Sequence, residues 1–271
     1  MEFLEFLTFP FMQRAVIAGV FLGILLASLG VFVSLRNMAF FGEGIAHASL
    51  AGIALAILAG ISPLPIAMLW AVLLALLIFY LEQKTHLSID TMIGIFFTAS
   101  MALGVVLMNA TTGYQPELIS FLFGSILAVS FSDLLTIGLC TIVIMIWLLF
   151  SQRQLTFLSL SEDQAIVSGV PVRIQTALFY VALSLATVLG VKILGIILIS
   201  ALLIIPPAIS RLSTSSFRSH LLWSVLFSEL IIFFGLAFSF YLDFPSGATI
   251  VLLGTLVFFF LAGWKSISGR S

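Results

Sequence analysis

Between Arg14 and Arg36 the chain runs for 21 residues without a charged side chain, and comparable apolar runs recur almost to its end. A run of that length matches the roughly 20 residues a helix needs to cross the hydrocarbon core of a bilayer. Inside lipid every backbone N–H and C=O must find its partner within the protein, so such runs must be helices packed side by side. Composition agrees with this. Of 271 residues 62% are apolar and 8% charged, against about 25% charged in a soluble domain. Too little charge is present to coat a water-facing surface. The expected fold is an all-α, polytopic transmembrane helical bundle, read as a single domain over 1–271. Cys140 is the lone cysteine, which excludes a disulfide scaffold. A formal net charge of −1 with no basic patch excludes nucleic acid as a partner.

Apolar spans are predicted at about 14–34, 38–60, 66–81, 91–109, 133–150, 174–190, 193–210, 220–241 and 248–264. A further stretch, 118–130, is too short to cross and reads as re-entrant or interfacial. Turn residues mark the breaks: Ser62-Pro63, Thr112-Gly113 with Pro116, and Pro245-Ser246-Gly247. Residues 1–13 carry Glu2 and Glu5 among aromatic groups, with Arg14 the first cation. That pattern suits an interfacial segment and not a cleavable signal. The count is eight or nine spans, depending on whether Gly190 to Gly195 separates two crossings. With nine, and the N-terminus outside, Arg36, Lys84, Arg153, Arg173, Arg211, Arg218, Lys265 and Arg270 all fall in the cytoplasm. Only Arg14 and Lys192 fall outside, so 8 of 10 cations obey the positive-inside rule and the C-terminus is cytoplasmic.

The most informative polar stretch is Gly42-Glu43-Gly44-Ile45-Ala46-His47-Ala48. On a helix starting at 38, Glu43 lies about 7 Å and His47 about 13 Å from its cytoplasmic end. Four residues apart, they share one face. Ionisable groups at that depth cost roughly 2.5–3.5 kcal/mol to insert, so they should face a cavity or a partner. Carboxylate oxygen with imidazole nitrogen suits Zn²⁺, Mn²⁺ or Fe²⁺. The alternative is that both hydrogen-bond to neighbouring helices and only fix packing. Two donors are not a complete site, so others must come from another helix or a second subunit. His86 and His220 read as solvated loop residues, and Asp133 and Glu229 lie at or within apolar runs with nothing in sequence to pair with them. Gly19 and Gly23 form a GxxxG, a face for close helix packing.

One sizeable loop, about 151–173, lies on the cytoplasmic side. Within it Ser161 to Gly169 reads as a short helix, with Ser161 and Gln164 as a capping box and Glu162 and Asp163 at the positive dipole end. Gly169 then Pro171 stop it. Two turns are not stable alone in water, so this helix must dock, either on the membrane interface or on a cytoplasmic partner. Pro206 and Pro207 must interrupt the hydrogen-bond ladder of a later span. The sequence has no GxxxxGK[ST] phosphate loop, so ATP hydrolysis, if used, belongs to another chain.

Taken in order, Leu35 to Ala48, Leu122 to Val129, Gly195 to Ala208 and Pro245 to Leu252 resemble the membrane permease of bacterial zinc/manganese/iron ABC importers, the metal-type ABC permease family. The resemblance implies a homodimeric pore in the inner membrane. It implies a cytoplasmic ATP-binding subunit, an external metal-binding receptor and no permanently bound cofactor. It places Glu43 and His47 on the metal path, where the family usually has aspartate at the first position. It makes Ser161 to Gly169 the helix that couples to the ATPase. The expected function is import of a divalent transition metal ion driven by ATP hydrolysed in the partner chain, so this chain itself is not an enzyme. An ion-gradient-driven secondary carrier and an ABC permease for iron chelates are the competing readings.

Overall fold

The computed structural model describes residues 2–85, 87–109, 126 and 129–268. Most of the stretch 118–130, the turn at Thr112-Gly113, His86 and Arg270 lie outside the described residues. Those described form nine α-helices after a short 3₁₀ turn, Glu2–Thr8, and contain no strand. In chain order the helices are α1 (Pro10–Leu35), α2 (Ala39–Ala59), α3 (Pro63–Thr85), α4 (Ile89–Asn109), α5 (Phe131–Leu160), α6 (Glu162–Val167), α7 (Val172–Ser213), α8 (Phe217–Leu242) and α9 (Ser246–Ser268). All but α6 are long and apolar enough to cross a membrane, which gives eight candidate spans.

α7 is the exception to one helix, one crossing. Gly195 in its middle has φ 75° and ψ 166°, a conformation open to glycine and almost no other residue. The chain turns back there. Thr187 and Leu203, about 24 Å apart on a straight helix, both approach Gly42 of α2. The second limb, 196–213, then runs beside α9. Leu198 lies near Gly247, Ile205 near Gly254, and the Lys265 ammonium donates to the Leu212 carbonyl at 3.0 Å. The described residues therefore pass through the bundle nine times, and the start of α1 and the end of α9 sit at opposite ends. Phe9 near the start of α1 packs on Phe240 near the end of α8, while Phe32 near the end of α1 packs on Phe179 and Phe217.

The core forms where small residues let backbones approach. α1 and α8 are antiparallel, with the Ser224 hydroxyl donating to the Ala27 carbonyl, Ser228 to Gly23, and Ile232 lying on Gly19. The GxxxG face thus meets α8. Gly30 of α1 meets α7 more closely: a Cβ there would lie 2.2 Å from the Leu203 carbonyl oxygen. Pro207 has no N–H to bond that carbonyl, so α1 can come close to it. Pro206 and Pro207 themselves sit buried within the helical limb, and the non-helical residue is Gly195. α2 runs parallel to α4, with Gly44 on Ile93 and Gly104 on the Leu50–Ala51 backbone.

Several local expectations change. α1 begins at Pro10, four residues before the expected 14, because proline fits the first helical position. α5 continues to Leu160, so the loop expected over 151–173 is helical in its first part; Gln152, Arg153 and Gln154 are good helix formers. Asp133 is paired after all. Its carboxylate closes a capping box with Ser130 and accepts from Lys192 Nζ at 2.5 Å, joining α5 to α7 beside the Gly195 turn. His220 is buried and not solvated, because the α7–α8 turn folds it against Ser210. The Ser210 hydroxyl donates to the His220 carbonyl at 2.7 Å, and His220 Nδ1 lies 3.0 Å from that hydroxyl.

Candidate functional site

The α1–α2 turn is only three residues long and fixes where α2 begins. Arg36, Asn37 and Met38 bond back to Phe32, Ser34 and Val33, and Asn37 takes φ 54°. This is the closed end expected when a residue after a helix adopts the left-handed conformation. From Ala39, Glu43 stands about 6 Å and His47 about 12 Å along α2. They share the face turned away from α1 and α7. Glu43 is exposed and His47 half-buried.

Neither side chain hydrogen-bonds to any described residue, and His47 Nδ1 is buried without a partner. The reading in which the pair merely fixes packing needs those bonds, and the described residues do not supply them. The His47 ring stands edge-on to Phe97 of α4, with centroids 5.3 Å apart, which holds the imidazole against α4. Glu43 lines a cavity of about 280 Å³ between α2 and α4 with Phe40, Gly44, Asp90, Ile93, Gly94 and Phe97. Asp90 was not visible as a site residue in the sequence, because alone in the first turn of α4 it reads as an ordinary dipole partner. The fold brings it to Glu43's cavity. No three His, Cys, Asp or Glu side chains converge anywhere among the described residues. Within one chain the arrangement offers an oxygen and a nitrogen donor with a second carboxylate nearby, which is too few to enclose a cation. The face is open toward a further molecule.

At the same end of the bundle, α6 carries the other predicted constellation. The Ser161 hydroxyl accepts from the Gln164 N–H at 3.4 Å, one half of the expected capping box. Glu162 and Asp163 occupy the first turn. Gly169 takes φ 76°, with its N–H bonded to Ile166 and that of Val170 to Ala165, so the helix ends where expected. Ala165 is fully buried against the bundle, while Ile166 and Val167 are 57% and 88% exposed. One side docks on this chain and an apolar edge faces away from it.

A model of the ABC 3 transport family matches residues 8–265. The chain belongs to that family. Relatives include the high-affinity zinc uptake system membrane protein ZnuB of Haemophilus influenzae, 31% identical over 92% of this chain and 96% of that one. Another is the manganese transport system membrane protein MntC of Halalkalibacterium halodurans, 36% identical over 94% and 87%. Among solved structures, PsaBC from Streptococcus pneumoniae in complex with Fab superposes with a TM-score of 0.84 at 31% identity, covering 96% of this chain and 94% of that one. As an ABC 3 family member the chain is a multi-pass permease subunit of the inner membrane and not an enzyme; ATP hydrolysis belongs to a separate subunit.

Proposed function

We propose that this chain is the transmembrane subunit of an ATP-driven importer that carries Zn²⁺ or Mn²⁺, with Fe²⁺ in the same chemical class, into the cytoplasm. The observation that carries this reading is the Glu43–His47 face of α2, polar, within the span, and unpartnered among the described residues. The names of the relatives support a transition metal as cargo. An iron-chelate permease has no use for a small, bare pair of donors at this depth.

The pore is a homodimer in this reading, because the described residues of one chain supply too few donors and leave α4 largely unburied. Two α2 faces brought together give two carboxylates and two imidazoles, a donor set for borderline divalent ions. In this reading Glu43 and His47 hold or gate the passing ion, and Ser161, Glu162, Asp163, Gln164 and Gly169 shape the helix that docks on the ATP-binding subunit. Pro206 and Pro207 let the second limb of α7 lie close to α1. An external metal-binding receptor delivers the ion, and membrane lipid covers the remaining apolar surface. The whole chain acts as one permease domain, with its C-terminus in the cytoplasm.

The test is uptake by proteoliposomes containing this chain, its co-purified ATPase and the receptor. Zn²⁺ or Mn²⁺ should accumulate only when ATP is present. Accumulation driven by a proton gradient without ATP would replace the importer with a secondary carrier.

A further inference from the structure

At the end of the bundle that carries α6, three polar side chains meet that no part of the metal path uses. Arg36, in the locked α1–α2 turn, lays its guanidinium carbon 5.5 Å from the ring centroid of Phe179 and 5.6 Å from that of Tyr180. The Tyr180 hydroxyl donates to Glu82 Oε2 of α3 at 2.8 Å. Tyr180 is completely buried, its ring 5.1 Å from Phe41 of α2 and 6.4 Å from Phe79 of α3. The charges of Arg36 and of Glu162, in the first turn of α6, both act on Glu82 and Tyr180.

One feature of this cluster is not at rest. Arg36 Nη1 is buried and has no hydrogen-bond partner among the described residues. A guanidinium is stabilised in such a place by a paired carboxylate, and leaving a donor of a charged group unpaired is costly. Yet the nearby Glu82 carboxylate is held by the tyrosine and forms no ion pair with Arg36. The cluster therefore has a second pairing open to it, in which Arg36 takes a carboxylate. An element with two discrete arrangements is what energetic coupling between distant sites requires.

We propose that Arg36, Tyr180 and Glu82 are the joint through which movement of α6 reaches the metal-bearing face of α2. When α6 shifts with the ATPase, Glu162 moves relative to the cluster and Arg36 takes up a carboxylate it does not hold in the resting arrangement. The guanidinium follows, and the rigid 36–38 turn passes its displacement to the first turn of α2. Phe41, fully buried against Tyr180, is the inner face of that turn, and Glu43 two residues on is its outer face. Tilting one re-aims the other. These are positioning residues, since none touches the ion. The inference rests on the importer reading, specifically on α6 being the helix that docks on the ATPase.

The experiment uses the full permease–ATPase complex with receptor in proteoliposomes, offered Zn²⁺ or Mn²⁺ alone, and measures metal imported per ATP hydrolysed. Tyr180→Phe removes one hydroxyl and keeps the ring packing. It should leave assembly as in the parent, with at most a modest loss of thermal stability from the missing hydrogen bond, while import per ATP falls about fivefold or more, the lower range of ordinary coupling. Glu82→Gln should do the same, and the double variant should be no worse than either single one. Parent-like import per ATP in both single variants would overturn the joint. So would a loss of import and hydrolysis in proportion to lost assembly, which marks a purely structural role. A parent complex that imports nothing with ATP would overturn the importer reading first, and this joint with it.

Discussion

His47 is the residue on which the transport reading turns. Its position lies about 12 Å along α2 from the start of that helix, its ring edge-on to Phe97 and with Nδ1 buried and unpaired among the described residues. Phe97 fixes the ring without satisfying its buried nitrogen. Replacing His47 with alanine removes that donor and opens space beside Phe97 without stranding any hydrogen-bond partner. The complex should therefore assemble normally while ATP-dependent uptake of Zn²⁺ and Mn²⁺ is abolished. Co-purification with the ATPase followed by radiometal uptake checks both halves, and normal uptake would remove His47 from the path. That Glu43 and His47 share one helix face was legible in the sequence, because four-residue spacing needs no knowledge of the fold. Asp90 was not, since its neighbour Glu43 lies on another helix and only the parallel packing of α2 on α4 brings them to one cavity.

Individual helices show where sequence patterns decide and where packing does. The end of α6 was readable, because a glycine followed by a proline is a local stop signal, and Gly169 does take a left-handed conformation. Gly169→Pro cannot keep it: proline requires φ near −65° and removes the N–H now bonded to Ile166. With the docking helix reshaped, ATP should still be hydrolysed by the partner while metal transported per ATP drops. Unaltered coupling would leave α6 as a simple interfacial segment. Glycines inside spans were less legible, because many small residues look alike in so apolar a chain. The structure separates them. At Gly23 a Cβ would meet the tips of Glu229 and Ile232 side chains, which can swing aside; at Gly30 it would meet the Leu203 carbonyl at 2.2 Å. Gly30→Ala must therefore push α1 from α7 and should destabilise the protein by about 1–3 kcal/mol, while Gly23→Ala should cost clearly less. Thermal melts of the two purified variants in detergent rank them, and an equal loss would contradict the packing described here.

For the molecule as a whole, the parity of membrane crossings decides which ends face the same compartment. Length and hydropathy count eight spans and place both termini on one side. Among the described residues the turn at Gly195 adds a ninth pass and puts the start of α1 and the end of α9 at opposite ends. The sequence left this open, because no pattern of apolar residues distinguishes a long helix from two limbs joined at a glycine. What resolves it is tertiary contact along both limbs of α7. The charge distribution then falls into place. Arg36, Lys84, Arg153, Arg173, Arg211, Arg218 and Lys265 gather at one end of the bundle, and Arg14 and Lys192 at the other, where Lys192 is paired with Asp133. By the positive-inside rule the first end is the one we propose to be cytoplasmic. It is also the end with α6 and the Arg36–Tyr180–Glu82 cluster, as an ATPase partner requires. Single cysteines placed at Thr8 and at Ser268 in a Cys140→Ser background test this directly. In intact, spheroplasted cells a membrane-impermeant maleimide should label the first and not the second, and permeabilisation should expose the second. Labelling of both from one side would mean an even number of crossings and would contradict the fold-back at Gly195.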